Sequence, residues 1–129
     1  MQSVDTNVLA RYLVGDDPNQ SPLAERILAQ GAFVSLTVLL EVYWLLSSRY
    51  GMNTQQVVVL FKIMLEHQTV QIEAEEWVEW LLDRLSCGAD FADLIHLISS
   101  QNHSAFVTFD KSIAKHAGSN PPVSIKVLR

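Results

Sequence analysis

The sequence predicts an α/β domain, a three-layer α/β/α sandwich around a central parallel sheet. Two observations predict it. Short apolar runs of strand type alternate with longer runs whose apolar residues recur at helical spacing. That alternation favours parallel strands with helices on both faces. The chain is also 129 residues long and 49% hydrophobic, enough for one domain, residues 1–129, to bury a real core. No linker, repeat or low-complexity tract interrupts it.

The elements follow in order. Ser3 to Asp5 reads as the end of a buried strand. Thr6 to Val14 carries Val8, Leu9, Tyr12 and Leu13 at helical spacing. Gly15-Asp16-Asp17-Pro18 is a loop. Ser21-Pro22 is the expected start of the next helix, with serine as cap and proline in the first turn, and Gly31 ends it. Ala32 to Ser35 is a second strand. Thr37 is the expected cap of a helix that runs to about Arg49. Asn53-Thr54 opens another helix, and Thr69 to Ile72 is a third strand. Ala74 to Leu85 is helical, and Gly88 breaks it. Asp90 to Ser100 places Phe91, Leu94, Ile95 and Ile98 on one face. Ala105 to Phe109 is a fourth strand, Ser112 to His116 a short helix, and Val123 to Leu128 a fifth strand.

Four acids mark points where strand and helix meet. Asp5 opens VDTNVLARYL, and Glu41 sits inside VSLTVLLEVYWLL. Asp93 lies in GADFADLIHLISS, and Asp110 closes AFVTFD. The carboxyl ends of parallel strands open onto one edge, so residues distant in sequence can share it. Carboxylates gathered there repel unless a cation lies among them. Oxygen donors suit a hard ion such as Mg²⁺ or Mn²⁺. Glu41 has apolar neighbours on every side along its helix. The expectation is a buried carboxylate, which needs a partner or a metal.

The V-D-T-N start, the lone Glu of the apolar helix, the D-F-A-D-L-I segment and the late T-F-D together resemble a PIN domain, from Ser3 to Val127. At this length the chain is most similar to the VapC-type toxins of toxin–antitoxin pairs. The resemblance implies a metal-dependent endoribonuclease with Asp5, Glu41, Asp93 and Asp110 as catalytic metal ligands. It also implies Mg²⁺ or Mn²⁺ as cofactor, RNA as substrate, a homodimer and a small antitoxin protein.

Each residue has a plainer reading beside this one. Asp5 and Asp90 suit helix N-caps, and Asp110 suits a turn. Thr6, Asn7, Asp90 and Thr108 stand next to the four acids as supporting residues. The resemblance selects Asp93, not Asp90, as ligand. His96 lies one turn beyond Asp93 and reads as a surface or packing residue. The four histidines show no zinc spacing. Trp44, Trp77 and Trp80 read as core or interface. The single cysteine, Cys87, excludes an internal disulfide and reads as a buried or incidental thiol.

A net charge of −5 argues against a simple nucleic-acid binder but not against a nuclease whose own site is acidic. Arg11, Arg49, Lys111 and Lys115 are candidates for a local basic rim. The start lacks the pattern of a signal peptide, and the most apolar run, Val38 to Leu46, is interrupted by Glu41 and too short for a membrane span. The expected location is the cytoplasm. Two alternatives stand beside the nuclease: a receiver-like Mg²⁺-binding signalling domain, and a non-catalytic PIN-like binding module. The receiver needs paired acids after the first strand, whereas Asp5 stands alone.

Overall fold

In the computed structural model, which describes residues 1–129, the chain divides into two units, Met1–Glu75 and Glu76–Arg129. The first contains β1 (Gln2–Ser3), α1 (Thr6–Val14), α2 (Gln20–Gln30), β2 (Ala32–Val34), α3 (Leu36–Ser48), α4 (Thr54–Leu65) and β3 (Val70–Ile72). A 3₁₀ turn, Glu75–Trp77, crosses the boundary. The second contains α5 (Val78–Ser86), α6 (Phe91–Ser99), β4 (Phe106–Thr108), α7 (Lys111–Ala117) and β5 (Ile125–Val127).

The strands of the first unit form a parallel sheet in the order β1-β2-β3. Gln2 pairs with Ala32, and Ala32 with Val70. Each crossover carries a pair of helices, as parallel strands require a long connection. β4 and β5 pair in parallel, Phe106 with Ile125 and Thr108 with Val127. The fold is the parallel-sheet α/β class that the alternation predicts. A receiver-like order would place β1 between β2 and β3; here β2 holds that place, which removes the receiver alternative.

Burial follows the helical periodicity. In the first unit, Leu9, Leu28, Leu39, Leu46, Phe61 and Met64 are fully buried. In the second, Leu97, Ile113, Ala117 and Val123 form a cluster to which Trp80, Phe106 and Ile125 add their inner faces. No helix is long and apolar enough to cross a membrane.

Two expected caps differ. α2 starts one residue before Ser21, because Asp17 Oδ1 accepts the N–H groups of Asn19 and Gln20 at 2.9 and 2.7 Å. A charged acceptor there displaces the serine, whose hydroxyl donates to the Arg11 carbonyl at 2.8 Å. α3 is capped by Ser35, not Thr37: Ser35 Oγ accepts the Val38 N–H at 3.2 Å. Asn53 and Gln56 form a reciprocal capping box on α4, as the Asn-Thr signal suggests.

Candidate active site

Asp5 follows β1 and caps α1, with Oδ1 accepting the Val8 N–H at 3.1 Å. Its Oδ2 accepts nothing within the chain, and the residue is exposed. Val4 N–H donates to the Phe33 carbonyl at 3.0 Å, so the β1–β2 register continues past the last paired residues. Extended by two places, that register sets Asp5 level with Ser35. The β2–β3 register sets Glu73 level with the same residue. One edge of the sheet thus presents Asp5, Ser35 and Glu73 in a row.

Glu73 is the residue that sequence reading missed. Its Oε1 accepts the Leu36 N–H at 3.0 Å, while its own N–H donates to the Val34 carbonyl at 2.9 Å. It therefore ties the end of β3 to the first turn of α3, the helix that carries Glu41. The Ile-Glu pair at the strand end is visible in the sequence. Its partner lies 37 positions away, so the role is not.

Glu41 corrects an expectation. It is exposed, and no charged or polar side chain in the protein is fully buried. The helix is not enclosed on all sides: Leu36, Leu39, Val42 and Leu46 face inward, while Trp44 is 51% exposed. Apolar residues around Glu41 mark an apolar helix, not a buried carboxylate. Glu41 thus stays open to solvent and to ligands without the cost of burying a charge.

In the second unit, Asp90 caps α6, its Oδ2 accepting the Asp93 N–H at 3.1 Å. Asp93 lies in the first turn, where the helix end favours negative charge. Its carboxyl is nevertheless pushed above the usual carboxylate range, first by partial burial, then by the charges of Asp90 and Asp110. Asp110 follows β4 and caps α7. Its Oδ1 accepts the Ser112 hydroxyl at 2.6 Å and the Ser112 N–H at 2.9 Å, which hold it below the usual range. Asp110 therefore ionises first, and its charge acts on Asp93. Thr108 supports it through the backbone: its hydroxyl accepts the Asp110 N–H at 3.0 Å. His96 is exposed and stacks on Phe106, ring centres 6.3 Å apart, as a packing histidine does.

The remaining candidates separate in the same way. Thr6 is half-buried and Asn7 exposed, both in the first turn of α1. Arg11 is not a free rim cation: its Nε donates to Gln20 Oε1 at 2.8 Å, and Nη1 to Tyr50 Oη at 3.2 Å. Asp16 and Asp17 lie 3.8 and 3.9 Å from it. Arg49, Lys111 and Lys115 are exposed. Trp77 and Trp80 meet edge to face, and Trp77 Nε1 donates to Gln101 Oε1 at 3.1 Å, so both are structural. Cys87 is exposed at the end of α5, not buried.

The chain matches the PIN domain family over residues 3–119. It belongs to that family. No curated protein and no solved structure matches it. The PIN domain is generally a nuclease fold, and PIN nucleases generally use divalent metal ions. The acids of this PIN domain suit such an ion in kind: they are oxygen donors, and Asp5 and Asp110 each keep one carboxylate oxygen unengaged. Nowhere do three or more His, Cys, Asp or Glu side chains already stand together as a metal cage.

Proposed function

We propose that this PIN domain is a metal-dependent endoribonuclease, the toxin of a toxin–antitoxin pair of the VapC type. Asp5, Glu41, Asp93 and Asp110 would be the ligands of one or two Mg²⁺ or Mn²⁺ ions. The observation that carries this reading is the pair of strand-end caps. Asp5 and Asp110 each spend one oxygen on a helix cap and keep the other open toward solvent.

The chain's own residues would divide the work. Asp5 and Asp110 are each tethered through one carboxylate oxygen to the first turn of the following helix. Thr108 and Ser112 restrain Asp110 from two sides, through its own N–H and through Oδ1. Burial and the charges of Asp90 and Asp110 oppose ionisation of Asp93, and a cation bound beside it would favour the carboxylate form. Glu73 holds the first turn of α3 and thereby the position of Glu41. A bound ion supplies charge stabilisation at the phosphate and a lowered pKa for an attacking water. No side chain here is arranged as a covalent nucleophile, which favours water in that role.

Partners follow from the same reading. A small antitoxin would cover the acids, and a homodimer would bury part of the exposed apolar surface. The test is cleavage of RNA by purified protein in Mg²⁺, with Asp5→Asn as the comparison. Asparagine also caps helices, so the variant keeps the fold and loses the charge. Parent and variant cleaving at equal rates would sink the proposal. A parent that binds RNA without cutting it would favour a non-catalytic binding module.

A further inference from the structure

A groove of about 280 Å³ opens between α1 and α2, directly beside Asp5. Its floor is apolar, built by Val8, Ala24 and Ile27. Leu23, 56% exposed, forms one lip. The other end is closed by Arg11, whose guanidinium is held in place by Gln20 Oε1 and Tyr50 Oη. A third of the Arg11 side chain remains accessible. Asn7 adds an exposed side-chain amide, and no hydrogen bond within the chain engages it.

We infer that this groove holds one nucleobase of the RNA, the base next to the phosphate attacked at Asp5. The inference rests on the nuclease reading and adds a binding site to it. Three features select a base over other ligands. The volume lies just below the ~300 Å³ at which small-ligand clefts begin, enough for one ring system and little else. The walls combine an apolar floor with a fixed guanidinium plane, and RNA bases stack on such planes. The local charge excludes a phosphate. Asp16 and Asp17 flank Arg11 at 3.8 and 3.9 Å, and Asp5 lines the other end, so an anion meets net repulsion while a neutral base does not. The Asn7 amide is placed to read the polar edge of the ring, as asparagine does for bases elsewhere. Because α1 rises ~1.5 Å per residue, Arg11 stands ~9 Å from Asp5 along the helix. That spacing lets a base lie between them while its phosphate stays at the acid.

The experiment follows backbone amides by NMR in the intact chain with metal chelated. The probes are the uncharged nucleosides adenosine, guanosine, cytidine and uridine, with ribose 5-phosphate as the base-free control. We expect at least one nucleoside to shift Val8, Ala24 and Ile27 saturably at millimolar concentration, and ribose 5-phosphate to leave them unmoved. Arg11→Met should weaken that binding about tenfold or more. Arg11 also braces the α1–α2 loop, so Leu23→Ser, at an exposed lip, provides a second variant that keeps the fold and weakens binding in the same direction. Silence toward all four nucleosides overturns the inference. So does an equal response to ribose 5-phosphate, which would make the groove a phosphate site, or affinity unchanged in both variants. An amphipathic peptide that shifts these amides while nucleosides do not would assign the groove to a protein partner instead. RNA cleavage is scored separately. A protein that cuts RNA with a silent groove loses only the base pocket; one that binds bases but cuts no RNA loses the nuclease reading.

Discussion

Asp90 and Asp93 sit three residues apart and carry different duties. Asp90 accepts the Asp93 N–H and so closes the first turn of α6. Asp90→Ala should cost ~1 kcal/mol of stability and retain cleavage. A variant as stable as the parent but inactive would reverse the two assignments. Asp93 stands above its ordinary value of 3.8 because burial and two neighbouring carboxylates oppose its charge. A raised native pKa means a contribution to stability that is full below the unfolded value and is lost as pH rises through the folded one. Asp93→Asn cannot ionise. In chelator it should therefore be slightly more stable than the parent at neutral pH, match it in acid, and lack activity. Denaturant melts across that range test this, and parallel curves for the two proteins would refute it. Asp110 and Asp17 have the opposite sign. Their hydrogen bonds lower their pKa values, so their support is present above the unfolded value and fades as pH falls through the lowered native ones.

Among the elements, α3 depends on contacts from outside its own sequence. Ser35 caps it locally, and Glu73 satisfies a second amide of its first turn from β3. Glu73→Gln keeps an acceptor oxygen at the same place and should retain most stability. Glu73→Ala leaves the Leu36 N–H without its acceptor and should cost ~1 kcal/mol. If Glu73 holds Glu41 in position, the alanine variant should also weaken metal binding and glutamine should restore it. Loss of stability with undiminished Mn²⁺ affinity would limit Glu73 to capping. On α4 the Val57–Phe61 run divides by face. Val57, Val58 and Phe61 point inward, whereas Val59 and Ile63, one turn apart, are 56% and 50% exposed. The continuous apolar run is thus partly core and partly surface, and only the second part is available to a partner.

For the whole molecule, metal and partner should both act by mass action on the folded state. Millimolar Mn²⁺ should raise the melting temperature, and the rise should shrink in Glu41→Gln; equal rises would indicate a nonspecific ion effect. A two-fold dimer would use one apolar patch twice. Val59→Lys with Ile63→Lys should then lower the mass seen by light scattering without a large loss of stability, since both sites already face solvent. A parent protein that stays monomeric across micromolar concentrations would rule the dimer out. Antitoxin binding should weaken in Asp5→Asn combined with Asp93→Asn, provided that its grip includes a cation aimed at these acids.

The sequence by itself determined the alternation of elements and the places where acids fall. Hydrophobic period and cap chemistry are local properties, which is why α1, the Asn53 cap of α4 and the carboxylates after β1 and β4 are legible without coordinates. Burial and pairing are not local. Glu41 looked enclosed because its neighbours in sequence are apolar, yet only tertiary packing decides which side of a helix meets the core, and its side does not. Glu73 and Leu36, like Arg11 and Tyr50, meet only because the chain returns over 37 and 39 positions. The start of α2 went to Asp17 because a carboxylate that the loop folds back toward two amides outcompetes the serine beside them. Position along the chain chose the chemistry available to this protein; the packed structure chose which of those groups are braced and which stay open.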